Sequence, residues 1–168
     1  MSDVTEANHP PRTASHKKPG SNGAVGSSRE SLGDHEGLLT AAVREGATRA
    51  TLAAGLGAIA AIHAVDAVGK WSETRYLFWM YMAAIVGAIA AAGWSIFTRS
   101  RTALLASAGL AGSVLLGYVI NRTVGLPNAT DDIGNWTEPL GLTSVVVEAG
   151  TFLVAIGAYV LSARRSEA

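Results

Sequence analysis

The sequence predicts an all-α fold, a bundle of four transmembrane helices preceded by a disordered N-terminal tail. Three observations carry that reading. Four apolar stretches of about twenty residues each, the length that a bilayer core requires, fill the chain between Ala50 and Ala163. No charged residue occurs between Leu77 and Thr98, or between Thr102 and Asn121, whereas a soluble helix needs a polar face every 3.6 residues. Composition agrees, with 49% apolar and only 15% charged residues and a mean hydropathy above zero.

The N-terminal residues are a different material. From Met1 to about Gly33 the chain is rich in Ser, Gly, Pro, His and Lys, too poor in large apolar side chains to offset the entropy of ordering. Residues 1–36 are therefore read as a disordered cytoplasmic tail. His9, His16 and His35 fall there at spacings that fit no compact metal site. The first apolar run begins too late and is too long for a secretory signal, so the first helix is expected to act as an uncleaved anchor.

The transmembrane domain is expected over residues 37–165. Leu38, Leu39, Ala42 and Val43 make an amphipathic lead-in with Arg44, Glu45 and Arg49, and the first helix then crosses over about residues 50–69. The second is expected over 75–97, the third over 102–124 and the fourth over 141–163, each matching about 30 Å of hydrocarbon at 1.5 Å per residue. Residues 125–140 remain as a cap loop. Gly125 and Pro127 end the third helix, and Pro139 holds Glu138 extended before the fourth begins.

Orientation follows from Lys and Arg near the helix ends. Arg44, Arg49, Arg99, Arg101, Arg164 and Arg165 gather at one end, while the long loop carries Asp131, Asp132 and Glu138 and no base. A multi-pass protein of the plasma membrane with both termini cytoplasmic is expected; Lys70, Arg75 and Arg122 are the exceptions on the outer side. Trp71, Tyr76, Trp79 and Trp136 lie near the outer boundary as an interfacial belt, with Trp94 inside. Ala83, Gly87 and Ala91 on the second helix, and Gly109, Ser113 and Gly117 on the third, form small-residue ridges suited to close helix packing or to a homo-oligomer seam. Gly55, followed by Ile59, makes no such ridge.

Polar residues that hydrocarbon should exclude mark the candidate site. His63 and Asp66 share a face of the first helix, Glu148 lies at a similar depth on the fourth, roughly 10 Å below the outer boundary, and Tyr118, Asn121 and Arg122 reach that layer from the third. An ionised group at such depth costs at least ~2.5 kcal/mol. The groups are therefore expected to turn inward, Arg122 pairing with Asp66 or Glu148 and His63 with the other carboxylate. An ion-pair cluster that fixes helix register is one reading. A metal or haem site is a second, with His63, Asp66 and Glu148 as candidate ligands. A proton, ion or small-molecule path is the third. Arg122 competes with any metal for the carboxylates, and no cofactor is the simpler expectation.

The run Arg122, Thr123, Val124, Gly125, Leu126, Pro127, followed by Trp136, by Glu138 to Leu142 (Glu-Pro-Leu-Gly-Leu) and by Glu148, resembles a signature of uncharacterised small actinobacterial four-helix integral membrane proteins. Those proteins carry a histidine near the outer end of the first helix, then a second histidine, a glutamate and a tyrosine. His63, Glu73 and Tyr76 match, and Lys70 stands where the second histidine would be. The resemblance covers about Ile62 to Glu148 and implies a fold and a topology but no activity.

Several classes are excluded or disfavoured. Zero net charge argues against nucleic acid. With no cysteine there is neither a disulfide framework nor a thiolate metal site, and the acids of the loop lack the spacing of a calcium-binding helix–loop–helix. No phosphate loop, dinucleotide fingerprint or metalloprotease helix occurs, so the sequence does not point to an enzyme. The expected function is that of an accessory or binding protein in the lipid bilayer, without an enzymatic step, alone, as a homo-oligomer or with an envelope protein partner. A small proton, ion or solute transporter and a metal- or haem-binding membrane protein are the alternatives.

Overall fold

The computed structural model describes residues 22–165, with side chains described from residue 33. Four helices follow one another: α1 (Asn22–Glu73), α2 (Arg75–Phe97), α3 (Arg101–Thr123) and α4 (Pro139–Arg164). Each contains a window apolar and long enough to cross a membrane. The expected tail lies outside the described residues as far as residue 21, and from Asn22 the backbone is helical. Two compact units divide between Thr40 and Ala41. In the first, the described side chains are exposed, and Thr40 donates to the Glu36 carbonyl at 2.8 Å. All packing described below belongs to the second unit.

Besides the helical start at Asn22, inside the expected tail, two helix boundaries depart from expectation by two residues or more. Helix α1 continues to Glu73, leaving Thr74 alone between it and α2. Local chemistry extends it: Lys70 pairs with Glu73 at 3.0 Å, Ser72 donates to the Gly69 carbonyl at 3.0 Å, and a cation in the last turn suits the helix dipole. Thr74 is extended (φ −146°, ψ 94°), which reverses the chain in one residue. Helix α4 starts at Pro139, two residues early, because proline is preorganised for the first helical turn. The start of α3 is capped by Ser100, whose hydroxyl accepts from the Thr102 amide at 3.1 Å.

Each helix of this unit turns one narrow stripe inward. On α1 the buried residues are Leu52, Leu56, Ile59, Ala60, His63 and Ala67, recurring at the three- and four-residue steps of one helical face. The facing stripes are built from smaller residues, namely Ala88, Ala91 and Ser95 on α2, Ala103, Ser107, Ala108 and Ala111 on α3, and Ser144, Glu148, Thr151 and Ala155 on α4. Small side chains let backbones approach where lipid supplies no hydrophobic drive for association. A cluster of Leu56, Ile59, Ala60, Ala88, Ala91 and Ala111, sealed by Phe152, forms the centre. Outward-facing Val86, Ile89, Leu116, Val146 and Leu153 remain exposed, an apolar surface that belongs in lipid.

The expected small-residue ridges separate into two cases. On α2, Ala91 is buried, and a side chain at Gly87 would meet Leu110 of α3 at 2.9 Å. On α3, Gly109 and Gly117 have open space beside them. The tightest approach is one that spacing did not reveal: Gly55 of α1 lies directly against the Thr151 side chain of α4.

Polar packing reinforces the α2–α3 contact. Ser95 and Ser107 share a buried hydrogen bond of 3.0 Å, and Ser107 also donates to the Ala103 carbonyl at 2.8 Å. Interhelical hydrogen bonds within membranes are worth about 0.6 kcal/mol on average. Ser107→Ala is accordingly expected to lower stability by about that amount, measured by unfolding in mixed micelles. A loss above about 2 kcal/mol would show that the serine pair organises the helices rather than supplementing them.

Candidate functional site

At the loop end of the bundle, a cleft of about 560 Å³ opens between the helices. All six residues of the expected polar layer line it: His63 and Asp66 from α1, Tyr118, Asn121 and Arg122 from α3, and Glu148 from α4. Leu77 and Met80 of α2, with Leu110 and Val114 of α3, supply apolar lining. The buried cluster around Ile59, Ala91 and Ala111 follows one to two turns further along the same helices.

The pairing within this layer differs from expectation. Arg122, only 5% exposed, turns to the loop instead of to Asp66 or Glu148. One terminal nitrogen reaches Asp132 Oδ1 at 2.9 Å, and the other pairs with Glu138. The second Asp132 oxygen accepts from Asn121 Nδ2 at 2.9 Å. The physical reason is position: Arg122 lies in the last turn of α3, so its planar fork meets two carboxylates, one midway along the returning loop and one at its end. The Arg122 guanidinium also lies over the Tyr118 ring, 5.1 Å from its centroid.

Glu148 is therefore left without a strong base. It is 1% exposed, accepts a hydrogen bond from Ser144, and has His63 Nε2 4.0 Å away, beyond hydrogen-bonding distance. His63 engages the Ile59 carbonyl through Nδ1 at 2.9 Å and meets Tyr81 edge-on, with centroids 5.2 Å apart. Asp66 and the Tyr81 hydroxyl interact across the α1–α2 interface. Among the described residues, no three His, Asp or Glu side chains converge as a metal ion requires. His63, Asp66 and Glu148 line one space without forming a three-ligand cage.

The cap loop is stapled at three places. The Gly134 amide donates to the Arg122 carbonyl at 2.9 Å, and the Arg122 fork holds Asp132 and Glu138. On the opposite flank, Tyr76 donates to the Pro127 carbonyl at 2.6 Å and Thr74 to the Asn128 carbonyl at 3.2 Å. Gly125 adopts φ +81°, a conformation that favours glycine, and an added Cβ would strike Ile133 at 2.8 Å. Trp136 meets Tyr118 edge-on at 6.1 Å while staying partly exposed. Of the remaining expected boundary residues, Asp131 is exposed and Glu73 pairs with Lys70 outside the cleft lining.

Tyr76→Phe deletes one staple without altering ring packing. Faster amide exchange in residues 126–129 is expected, by a factor near five for a net hydrogen bond of about 1 kcal/mol, with the helices unchanged. Unchanged exchange there would assign the loop's order to Thr74 and the Arg122 fork instead.

Sequence reasoning missed three residues of the cleft. Tyr81 carried no signal, being one aromatic in an apolar helix. Ser144 did: it stands four residues before Glu148 and so shares its face. Lys70 entered the lining because α1 runs on past Gly69.

Four lipid-facing helices around a capped polar cleft define a small multi-pass integral membrane protein. Compared with protein-family models, curated proteins and solved structures, the chain matches none.

Proposed function

We propose that this chain is an accessory or binding protein of the plasma membrane, with both termini cytoplasmic and the capped cleft facing outward, and that the cleft holds a small amphipathic molecule. The observation that carries this reading is the cleft itself. Its volume of about 560 Å³ falls in the usual range for small-molecule sites, and polar groups face apolar lining beneath a stapled loop. A layer serving only helix register would close its ion pairs internally. Here Arg122 is drawn away, and Asp66 and Glu148 remain facing the space.

The arginine distribution supports the orientation. Of the exceptions at the loop end, Arg122 is held by Asp132 and Glu138, Lys70 by Glu73, and Arg75 lies over the Trp71 ring at 5.0 Å. Transport is the second reading, favoured by a fully buried Glu148. The apolar cluster around Leu56, Ile59 and Ala91 stands against it, since a through path must part those side chains.

The test is gentle purification in mild detergent, followed by mass spectrometry of the extracted small molecules, beside an Ala84→Trp variant that fills the cleft. About one molecule per chain, absent from the variant, is the expected result. Equal recovery from both proteins would place the molecule elsewhere. Pulldown of a stable protein partner would support an accessory role, and flux through proteoliposomes that Glu148→Gln abolishes would replace the binding reading by transport.

A further inference from the structure

Four buried side-chain polar atoms among the described residues have no hydrogen-bond partner: Tyr118 Oη, Asn121 Oδ1, Arg122 Nε and Glu148 Oε2. All four residues line the same cleft. Buried polar atoms are nearly always paired, because one left without a partner carries its desolvation cost uncompensated. Three of them, Tyr118 Oη, Asn121 Oδ1 and Glu148 Oε2, can accept, so their convergence marks where a donor on a bound molecule supplies the missing partner; Arg122 Nε can only donate. Glu148 is the most constrained of them, being 1% exposed and already bonded to Ser144 through its other oxygen.

The lining is also unbalanced in charge. It contains four carboxylates, Asp66, Asp132, Glu138 and Glu148, against two strong bases, Lys70 and Arg122. Arg122 is engaged by Asp132 and Glu138, and Lys70 by Glu73 outside the lining. Asp66 has the Tyr81 hydroxyl and, through space, the Lys70 ammonium, whereas Glu148 has only the Ser144 hydroxyl and His63 4.0 Å away. A carboxylate in so dry a place calls for a donor that brings positive charge.

Resting on the binding reading above, we infer that the cleft takes an amphipathic organic amine. Its ammonium donates to Glu148 Oε2, Asn121 Oδ1 offers a further acceptor, and its hydrocarbon lies along Leu77, Met80, Leu110 and Val114. An anionic head would meet Glu148 and Asp66 and be repelled. A neutral alcohol satisfies the hydrogen bond but leaves the charge uncompensated.

The test uses the full chain in nanodiscs of neutral lipid, titrated calorimetrically with hexylamine, hexanol and hexanoate, with empty nanodiscs subtracted. Saturable binding of hexylamine at one site per chain is expected, at least tenfold tighter than hexanol, with no binding of hexanoate. Glu148→Gln keeps the side-chain volume and the Ser144 bond, and should remove the tenfold preference while hexanol binding persists. Asp66→Asn serves as a second variant should Glu148→Gln fail to fold, and should weaken hexylamine selectively. If all three probes bind equally, and Ala84→Trp abolishes them together, the cleft is a binding site but the amine assignment is overturned. If none binds saturably, the cleft holds water alone and the binding reading falls with it.

Discussion

Arg122→Ala should release the cap loop and leave the four helices standing. The guanidinium bridges Asp132, midway along the loop, and Glu138 at its end, and lies over Tyr118. Removing it leaves two neighbouring carboxylates without their shared cation. Breaking a fully buried pair costs about 3–5 kcal/mol. Here the partner side chains are 32% and 40% exposed, so water recovers part of that and about 2–3 kcal/mol is expected. Thermal unfolding in detergent should register the loss, and amides 124–138 should lose protection from exchange while those of α2 and α3 keep theirs. Arg122→Lys should restore less than half, because an ammonium cannot present two parallel faces to two carboxylates. Full loop protection in Arg122→Ala would mean that Tyr76 and Thr74 suffice to hold the cap.

The second large effect is expected at Gly55. Alanine is ordinarily the better helix residue by about 1 kcal/mol, and at Gly57, where a side chain would meet nothing within 4 Å, Gly57→Ala should be neutral or mildly stabilising. At Gly55 a Cβ would overlap the Thr151 hydroxyl and press on its Cβ and Cγ2 at 3.2 and 3.3 Å. Thr151 cannot turn away freely, since its hydroxyl donates to the Val147 carbonyl at 2.7 Å. Overpacking of this kind costs about 1–3 kcal/mol, more than propensity returns, so Gly55→Ala should lower the melting temperature. Thr151→Ala in the same chain should recover most of the loss by removing the colliding groups. Equal behaviour of Gly55→Ala and Gly57→Ala would show that α1 and α4 are not in close contact there.

The contrast between those two glycines shows where sequence reasoning stops. The spans were legible because hydrocarbon tolerates so few charges that Leu77 to Thr98 and Thr102 to Asn121 announce themselves. Membership of the polar layer was legible for the same reason, and His63, Asp66, Tyr118, Asn121, Arg122 and Glu148 do line one cleft. Their partners were not. Depth along a helix follows from counting residues, but the direction of a long side chain depends on what the connecting segment brings back, and Asp132 and Glu138 sit in a loop whose path has no period to read. Gly55 was passed over for a related reason: its contact is with Thr151 on another helix, and a ridge of small residues spaced by four on its own helix was never required.

The single-residue link at Thr74 gives the mouth of the cleft an asymmetry. The α1–α2 corner has no slack, and Thr74 and Tyr76 within it also grip the loop at Asn128 and Pro127. Any widening of the entrance must be taken up on the other flank, where the Arg122 fork is the fastening. The mouth of the cleft is thus hinged along one rim, with its clasp at Arg122.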